Sequence, residues 1–158
     1  FRRGHFDGVI TVLDKFFSII KSNKVYFGEK DYQQLKIIEK FIEEKYKSLD
    51  LISIPTKRQE EGIAYSSRNE KLSKKQTQDF ISFHIQTKNF ISSLEKSLDI
   101  ENANLKANEF MTSQGVEKFE YFEFRNNTDL SFIGSISEAR LFYAIYKGKI
   151  RLIDNLKV

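Results

Sequence analysis

The chain has 158 residues, 40% of them hydrophobic and 30% charged, with a formal net charge of +4 and an isoelectric point near 9.1. That balance excludes a disordered chain, and no apolar run approaches the roughly 20 residues of a membrane span, so no membrane partner is expected. The chain has no cysteine. This removes disulfide and thiolate chemistry and is compatible with a cytoplasmic location. Lys and Arg alternate with Glu and Asp instead of forming blocks, the pattern of a solvated face. A basic chain with 14% aromatic residues could still be a non-catalytic nucleic-acid-binding or interaction module, and that is the alternative to an enzyme. The aromatics argue against it: they fall on helix stripes and strand interiors rather than beside Lys/Arg clusters. A net positive cleft equally suits ATP and a carboxylate substrate.

Taken in order, Gly4 and Gly8 bracket His5-Phe6-Asp7 as a loop ahead of a helix. Val9, Val12, Leu13, Phe16, Phe17 and Ile20 then repeat at helical spacing, and Ser22-Asn23 ends the run. Val25, Tyr26 and Phe27 form a short strand, and Gly28 reads as a tight turn open to a ligand. A helix from about Tyr32 to Tyr46 turns Leu35, Ile38, Phe41 and Ile42 inward. Leu51 to Ile54 is a second strand before Pro55. Strand, helix and strand of this length predict a parallel βαβ unit, whose ligands bind at the carboxyl ends of the strands.

The stretch from Lys57 to Asn69 is polar and reads as a loop, with a domain boundary near Lys57. Ser73 with Gln76 predicts a capping box. The long helix behind it carries Phe80, Phe83, Thr87, Phe90, Ile91, Leu94 and Leu98 on one side. A shorter helix covers roughly Asn102 to Ser113 and stops at Gly115. Val116 to Phe124, Ala139 to Tyr146 and Lys149 to Leu156 then read as strands, the last two joined by a turn at Lys147-Gly148. A three-stranded antiparallel sheet carrying the helices is expected.

Chemistry concentrates at the end of the first strand. Gly28-Glu29-Lys30-Asp31 puts a lysine beside a helix start that already favours anions. Asp31 can cap that helix, and Asp31 with Gln34 is also a variant of the capping box. Pattern alone leaves a phosphate site and a purely structural helix start both open. Two separated histidines and no cysteine make a zinc site unexpected. His84 falls near the apolar side of its helix, where packing is the expected role.

Gly28-Glu29-Lys30-Asp31-Tyr32-Gln33-Gln34 resembles the signature of the pantoate–β-alanine ligase (pantothenate synthetase) family. Upstream, Arg2-Arg3-Gly4-His5-Phe6-Asp7-Gly8-Val9 is similar to the family's R-P-G-H-F-x-G-V. Downstream, Pro55-Thr56-Lys57-Arg58 and Gly62-Ile63-Ala64-Tyr65-Ser66-Ser67-Arg68-Asn69 resemble P-T-V-R and G-L-A-M-S-S-R-N. The resemblance implies part of a Rossmann-like parallel nucleotide-binding domain over residues 1–56, followed by a small α+β lid domain over 57–158.

It also implies ATP-dependent condensation of pantoate with β-alanine through a pantoyl-adenylate, with Mg²⁺ accompanying the nucleotide. On that basis Lys30, Ser66, Ser67 and Arg68 are the expected catalytic residues. Gly28, Glu29, Asp31, Lys57 and Tyr65 join them around ATP, while Gln34 and Arg2 face pantoate. No residue is expected to ligate a metal. Lys57 and Tyr65 depart from the family's usual Val and Met or Leu, and Arg3 replaces the usual Pro. The family's H-x-G-H-like nucleotide motif is absent. These residues are therefore expected to be the C-terminal portion of a longer, homodimeric enzyme, inactive alone and without nucleic-acid partners.

Overall fold

The computed structural model describes residues 4–114, 116 and 118–158. The chain divides into two compact units, Phe1–Thr56 and Lys57–Val158. No helix among the described residues is long and apolar enough to cross a membrane.

The first unit contains α1 (His5–Ile19), β1 (Lys24–Gly28), a 3-10 turn (Glu29–Asp31), α2 (Tyr32–Lys45) and β2 (Asp50–Ile54). β1 and β2 pair in parallel, from Lys24 opposite Asp50 to Gly28 opposite Ile54. Parallel neighbours need a crossover, which α2 supplies. Alternation along β1 turns Val25 and Phe27 toward the helices and leaves Tyr26 exposed on the other face. These side chains, with Leu51, close over Ile38, Ile42 and Leu49. The rings of Phe17, Phe41 and Tyr46 pack edge to face or stacked at the rim.

Two expectations change here. Residues 5–8 are the first turn of α1, not a loop. Asp7 lies in that turn, where a carboxylate offsets the positive end of the helix. The apolar stripe of α1 is really two ridges at four-residue spacing. Val9, Leu13 and Phe17 pack inward, while Val12, Phe16 and Ile20 remain exposed.

The second unit contains a 3-10 turn (Asn69–Lys71), α3 (Lys74–Ser93), α4 (Ile100–Ser113), β3 (Phe119–Asn126), a 3-10 turn (Ile136–Glu138), β4 (Ala139–Lys147) and β5 (Ile150–Lys157). The three strands form an antiparallel sheet in the order β3-β4-β5. Central β4 is buried over its first seven residues, Ala139 to Ile145. Phe80, Phe83 and Ile91 of α3 and Ala103, Ala107 and Met111 of α4 pack with the sheet in one core. Phe90 stacks on Phe110 with ring centroids 4.5 Å apart.

The capping box forms: the Gln76 amide donates to Ser73 Oγ at 3.3 Å, and the Ser73 amide to Gln76 Oε1 at 2.9 Å. α3 ends at Ser93, so Leu94 and Leu98 pack on the core from beyond the helix. α4 starts at Ile100, ahead of the expected Asn102, because Asp99 accepts from the Asn102 amide at 2.8 Å and caps it. The expected stop at Gly115 lies outside the described residues. β3 begins at Phe119 rather than Val116 and runs on to Asn126. Gly148 takes φ +59° in the turn between β4 and β5, where a side chain would be strained.

Candidate functional site

In the first unit, Gly28, Glu29, Lys30 and Asp31 sit together at the carboxyl end of β1 and the start of α2. Gly28 is extended, at φ −76° and ψ 139°, so the expected tight glycine turn is not there. The 3-10 turn of Glu29–Asp31 redirects the chain instead. A Cβ at Gly28 would meet nothing within 4 Å, so its backbone borders open space. Asp31 occupies the N-cap position of α2, but its side chain accepts no capping hydrogen bond. The expected cap and its pairing with Gln34 are both corrected. The physical reason is the 3-10 turn running straight into α2, since i→i+3 bonding can satisfy the first amides of a helix. Lys30 is half-buried in that turn, and Gln34 is half-buried in the first turn of α2.

The parallel register places the ends of both strands side by side, Gly28 opposite Ile54. Pro55 and Thr56 follow directly. Thr56 Oγ1 is buried and has no hydrogen-bond partner among the described residues. Sequence alone places Pro55-Thr56 at the ligand-binding carboxyl ends of the strands but gives this hydroxyl no role of its own. Arg2 and Arg3 lie outside the described residues.

In the second unit, Lys57 to Asn69 is more ordered than a loop. Arg58 and Ala64 form an antiparallel bridge. The Gln59 amide donates to the Ile63 carbonyl and the Gly62 amide to the Gln59 carbonyl, each at 2.9 Å. The Tyr65 amide donates to the Lys57 carbonyl at 3.1 Å, and Lys57 Nζ lies 5.5 Å from the centroid of the Tyr65 ring. The chain therefore brings Lys57, Tyr65, Ser66, Ser67 and Arg68 together in one hairpin and the turn after it. Tyr65, Ser66 and Ser67 line an open groove of about 490 Å³ together with Gln59, Ile63 and Asn69. Ligand sites commonly fall between about 300 and 1,000 Å³. Ser66 Oγ accepts from the Arg68 amide at 3.2 Å, and Asn69 Nδ2 ties to the Ala64 carbonyl at 2.8 Å. Among the described residues no ion pair engages the Arg68 guanidinium.

A buried polar cluster supports the hairpin. Arg58 donates to both carboxylate oxygens of Asp154, at 2.7 and 3.1 Å, and to the carbonyls of Gly62 and Asn155, at 3.0 and 2.9 Å. The Asp154 side chain has 0% exposure. Gly62, at φ +91°, passes so close to His84 that a Cβ there would lie 2.9 Å from His84 Nε2. His84 is fully buried, with neither ring nitrogen hydrogen-bonded among the described residues. Burial holds its pKa below the ordinary imidazole value, against the pull of Asp154. Burial, reinforced by Asp154, pushes the Tyr143 hydroxyl well up. His5 is exposed on the first turn of α1. Among the described residues no group of three or more His, Asp or Glu could hold a metal ion.

The model of the family described as pantoate-beta-alanine ligase matches residues 1–157. The pantothenate synthetase of Coprothermobacter proteolyticus is 36% identical over 166 residues, covering 100% of this chain and 56% of its own length. That of Christiangramia forsetii is 38% identical over 161 residues, with 99% and 56% covered. The crystal structure of pantothenate synthetase from Thermus thermophilus superposes with a TM-score of 0.83 at 28% identity, covering 99% of this chain and 57% of that one. The pantoate-β-alanine ligase of Francisella tularensis, complexed with β,γ ATP and β-alanine, gives a TM-score of 0.67 at 34% identity, with 99% and 52% covered. The chain thus spans little more than half the length of these relatives. With matching motifs, a matching fold and a family model that runs almost end to end, the chain belongs to the pantoate–β-alanine ligase family.

Proposed function

We propose that this chain is part of an enzyme that uses ATP to condense pantoate with β-alanine, giving pantothenate. The pantoate carboxylate attacks the α-phosphate of ATP, forming an acyl-adenylate and releasing pyrophosphate. The β-alanine amine then attacks the acyl carbon, and AMP leaves. The observation that carries this reading is the groove lined by Tyr65, Ser66 and Ser67 and followed by Arg68, in a member of a ligase family.

The roles follow from the chemistry of each group. Lys30 and Arg68 supply positive charge where negative charge builds on the phosphates. Ser66 and Ser67 donate to phosphate oxygens, and the fork of Arg68 suits two at once. Gly28, with open space above its backbone, Glu29 and Asp31 border the ribose. Lys57 and Tyr65 border the base. The Gln34 amide can donate to the pantoate carboxylate and accept from its hydroxyl, and Arg2 adds a cation there. Mg²⁺ is proposed to arrive on the nucleotide. That cation commonly binds through substrate phosphates and retained waters. A closed site would protect the mixed anhydride from hydrolysis.

In the complete enzyme, Lys30→Ala or Arg68→Ala is expected to lower turnover about 10²–10³-fold, read as pyrophosphate release. Release at the unmodified rate by either variant would remove the role given to that residue. The 158 residues alone are proposed to be inactive, and pantothenate formed by them would overturn that part.

A further inference from the structure

We infer that the contact between Gly62 and His84 is a proton-sensitive latch on the groove: a neutral ring keeps the hairpin shut, and a ring that takes up a proton in mild acid lets it lift. The latch lies wholly within the second unit and rests on the nucleotide reading above only for what the groove holds.

His84 is fully buried, and neither ring nitrogen has a hydrogen-bond partner among the described residues. A neutral imidazole carries one donor and one acceptor, and leaving both unmet inside a core is costly. An apolar side chain would fill the same place without that cost. Proteins break this rule mainly at functional or strained sites. The hairpin tip closes one side of the ring: a Cβ on Gly62 would lie 2.9 Å from His84 Nε2 and 3.2 Å from Cδ2. One nitrogen of Arg58 holds that tip, bonding the Gly62 carbonyl at 3.0 Å and Asp154 Oδ2 at 2.7 Å.

The charged and titratable groups around the ring come from each element packed on it. Asp154 on β5 favours a proton there, while Arg58 of the hairpin and Lys88 of α3 oppose it. Tyr143 on β4 is fully buried beside the same carboxylate and stays a neutral phenol. Burial outweighs Asp154, so the shut hairpin keeps the ring neutral. Lifting the tip lets water reach the ring and restores its ordinary affinity for a proton. Acid therefore draws the equilibrium toward the lifted hairpin, which carries Tyr65, Ser66 and Ser67 of the groove wall with it. His84 acts on the groove as a positioning residue, through the backbone of the hairpin.

The test is native-state hydrogen exchange of the complete enzyme in low urea at about pH 7.5 and pH 5.5, corrected for the intrinsic pH dependence of exchange. It is read at the Gly62 and Tyr65 amides, which are bonded within the hairpin to the Gln59 and Lys57 carbonyls. An opening that frees an imidazole of ordinary value 6.5 is expected to lower their protection about tenfold at the lower pH. A local opening exposes little surface, so that loss is expected to be independent of urea. His84→Leu and His84→Phe fill the place without a proton site, and either is expected to abolish the pH dependence. A tenfold loss that persists in both variants would overturn the inference. So would hairpin protection in the unmodified enzyme that ignores pH, or that falls with urea as steeply as the protection of central β4. Saturating ATP is expected to restore the protection lost in acid. ATP that protects neither amide at either pH would overturn the nucleotide reading and leave the latch standing.

Discussion

Replacing Arg58 with Leu tests whether the groove hairpin rests on the buried ion pair. The guanidinium makes four hydrogen bonds, two to the Asp154 carboxylate and two to main-chain carbonyls. Its removal leaves a carboxylate of 0% side-chain exposure without its cation. Breaking one side of a buried pair costs about 3–5 kcal/mol. Arg58 itself is 27% exposed, so water screens part of the interaction and the lower end, about 3 kcal/mol, is expected. In a unit of this size the total stability is about 5–15 kcal/mol, and a loss of that size lowers the thermal midpoint by about 12–24 °C. Urea unfolding, extrapolated linearly to water, reads the change directly. The double variant Arg58→Leu/Asp154→Leu is expected to recover most of the loss, because no charge is then stranded. The reasoning fails if Arg58→Leu alone costs under about 1 kcal/mol, or if the double variant loses the sum of the two single changes.

Two further predictions concern stability. His84→Leu should flatten the loss of stability in mild acid. Burial holds the native ring below the usual 6.5, so as pH falls through that value the unfolded chain takes a proton that the native state refuses, and stability declines. Asp154 favours that proton, while Arg58 and Lys88 oppose it. Urea midpoints at about pH 7.5 and pH 5.5 check this, and an identical drop in both proteins would count against it. Ser73→Ala removes one arm of the capping box and should cost about 1 kcal/mol in the same assay; a change indistinguishable from zero would show that the start of α3 is held by other means.

Local periodicity made most of the architecture legible. Two short apolar runs flanking a 3.6-residue stripe can close only as a parallel pair with its crossover helix, and β1, α2 and β2 do so. Three late strand runs separated by turn residues pointed to the antiparallel sheet. What stayed hidden depended on partners far away in the chain or on geometry finer than residue type. Arg58-Gln59-Glu60-Glu61-Gly62 reads locally as a solvated loop, yet it is a hairpin anchored to Asp154, 96 positions further on. Asp31 and Gln34 have the composition of a cap, but the 3-10 turn before α2 displaces it. Candidate site residues within each unit were visible as motifs. The Thr56 hydroxyl, without a hydrogen-bond partner among the described residues, was legible only in its place at the strand end, because burial of a single atom leaves no trace in sequence.

The same cluster joins stability to the groove. Arg58 bonds the Gly62 carbonyl with the nitrogen that also meets Asp154 Oδ2. Neutralising the buried carboxylate and fixing the hairpin tip are therefore one interaction, not two. Gly62 closes against His84 at a distance that leaves no room for a side chain, so the tip cannot move further toward α3 without disturbing it. Ile63, fully buried, follows immediately, and Tyr65, Ser66 and Ser67 emerge on the far side with their backbone already set. A change at Asp154, on β5 and not among the residues that line the groove, should thus alter ligand affinity through the position of Tyr65 and the serines. A change at exposed Lys57 should act only locally, at the Tyr65 ring it covers and at the base both residues are proposed to border.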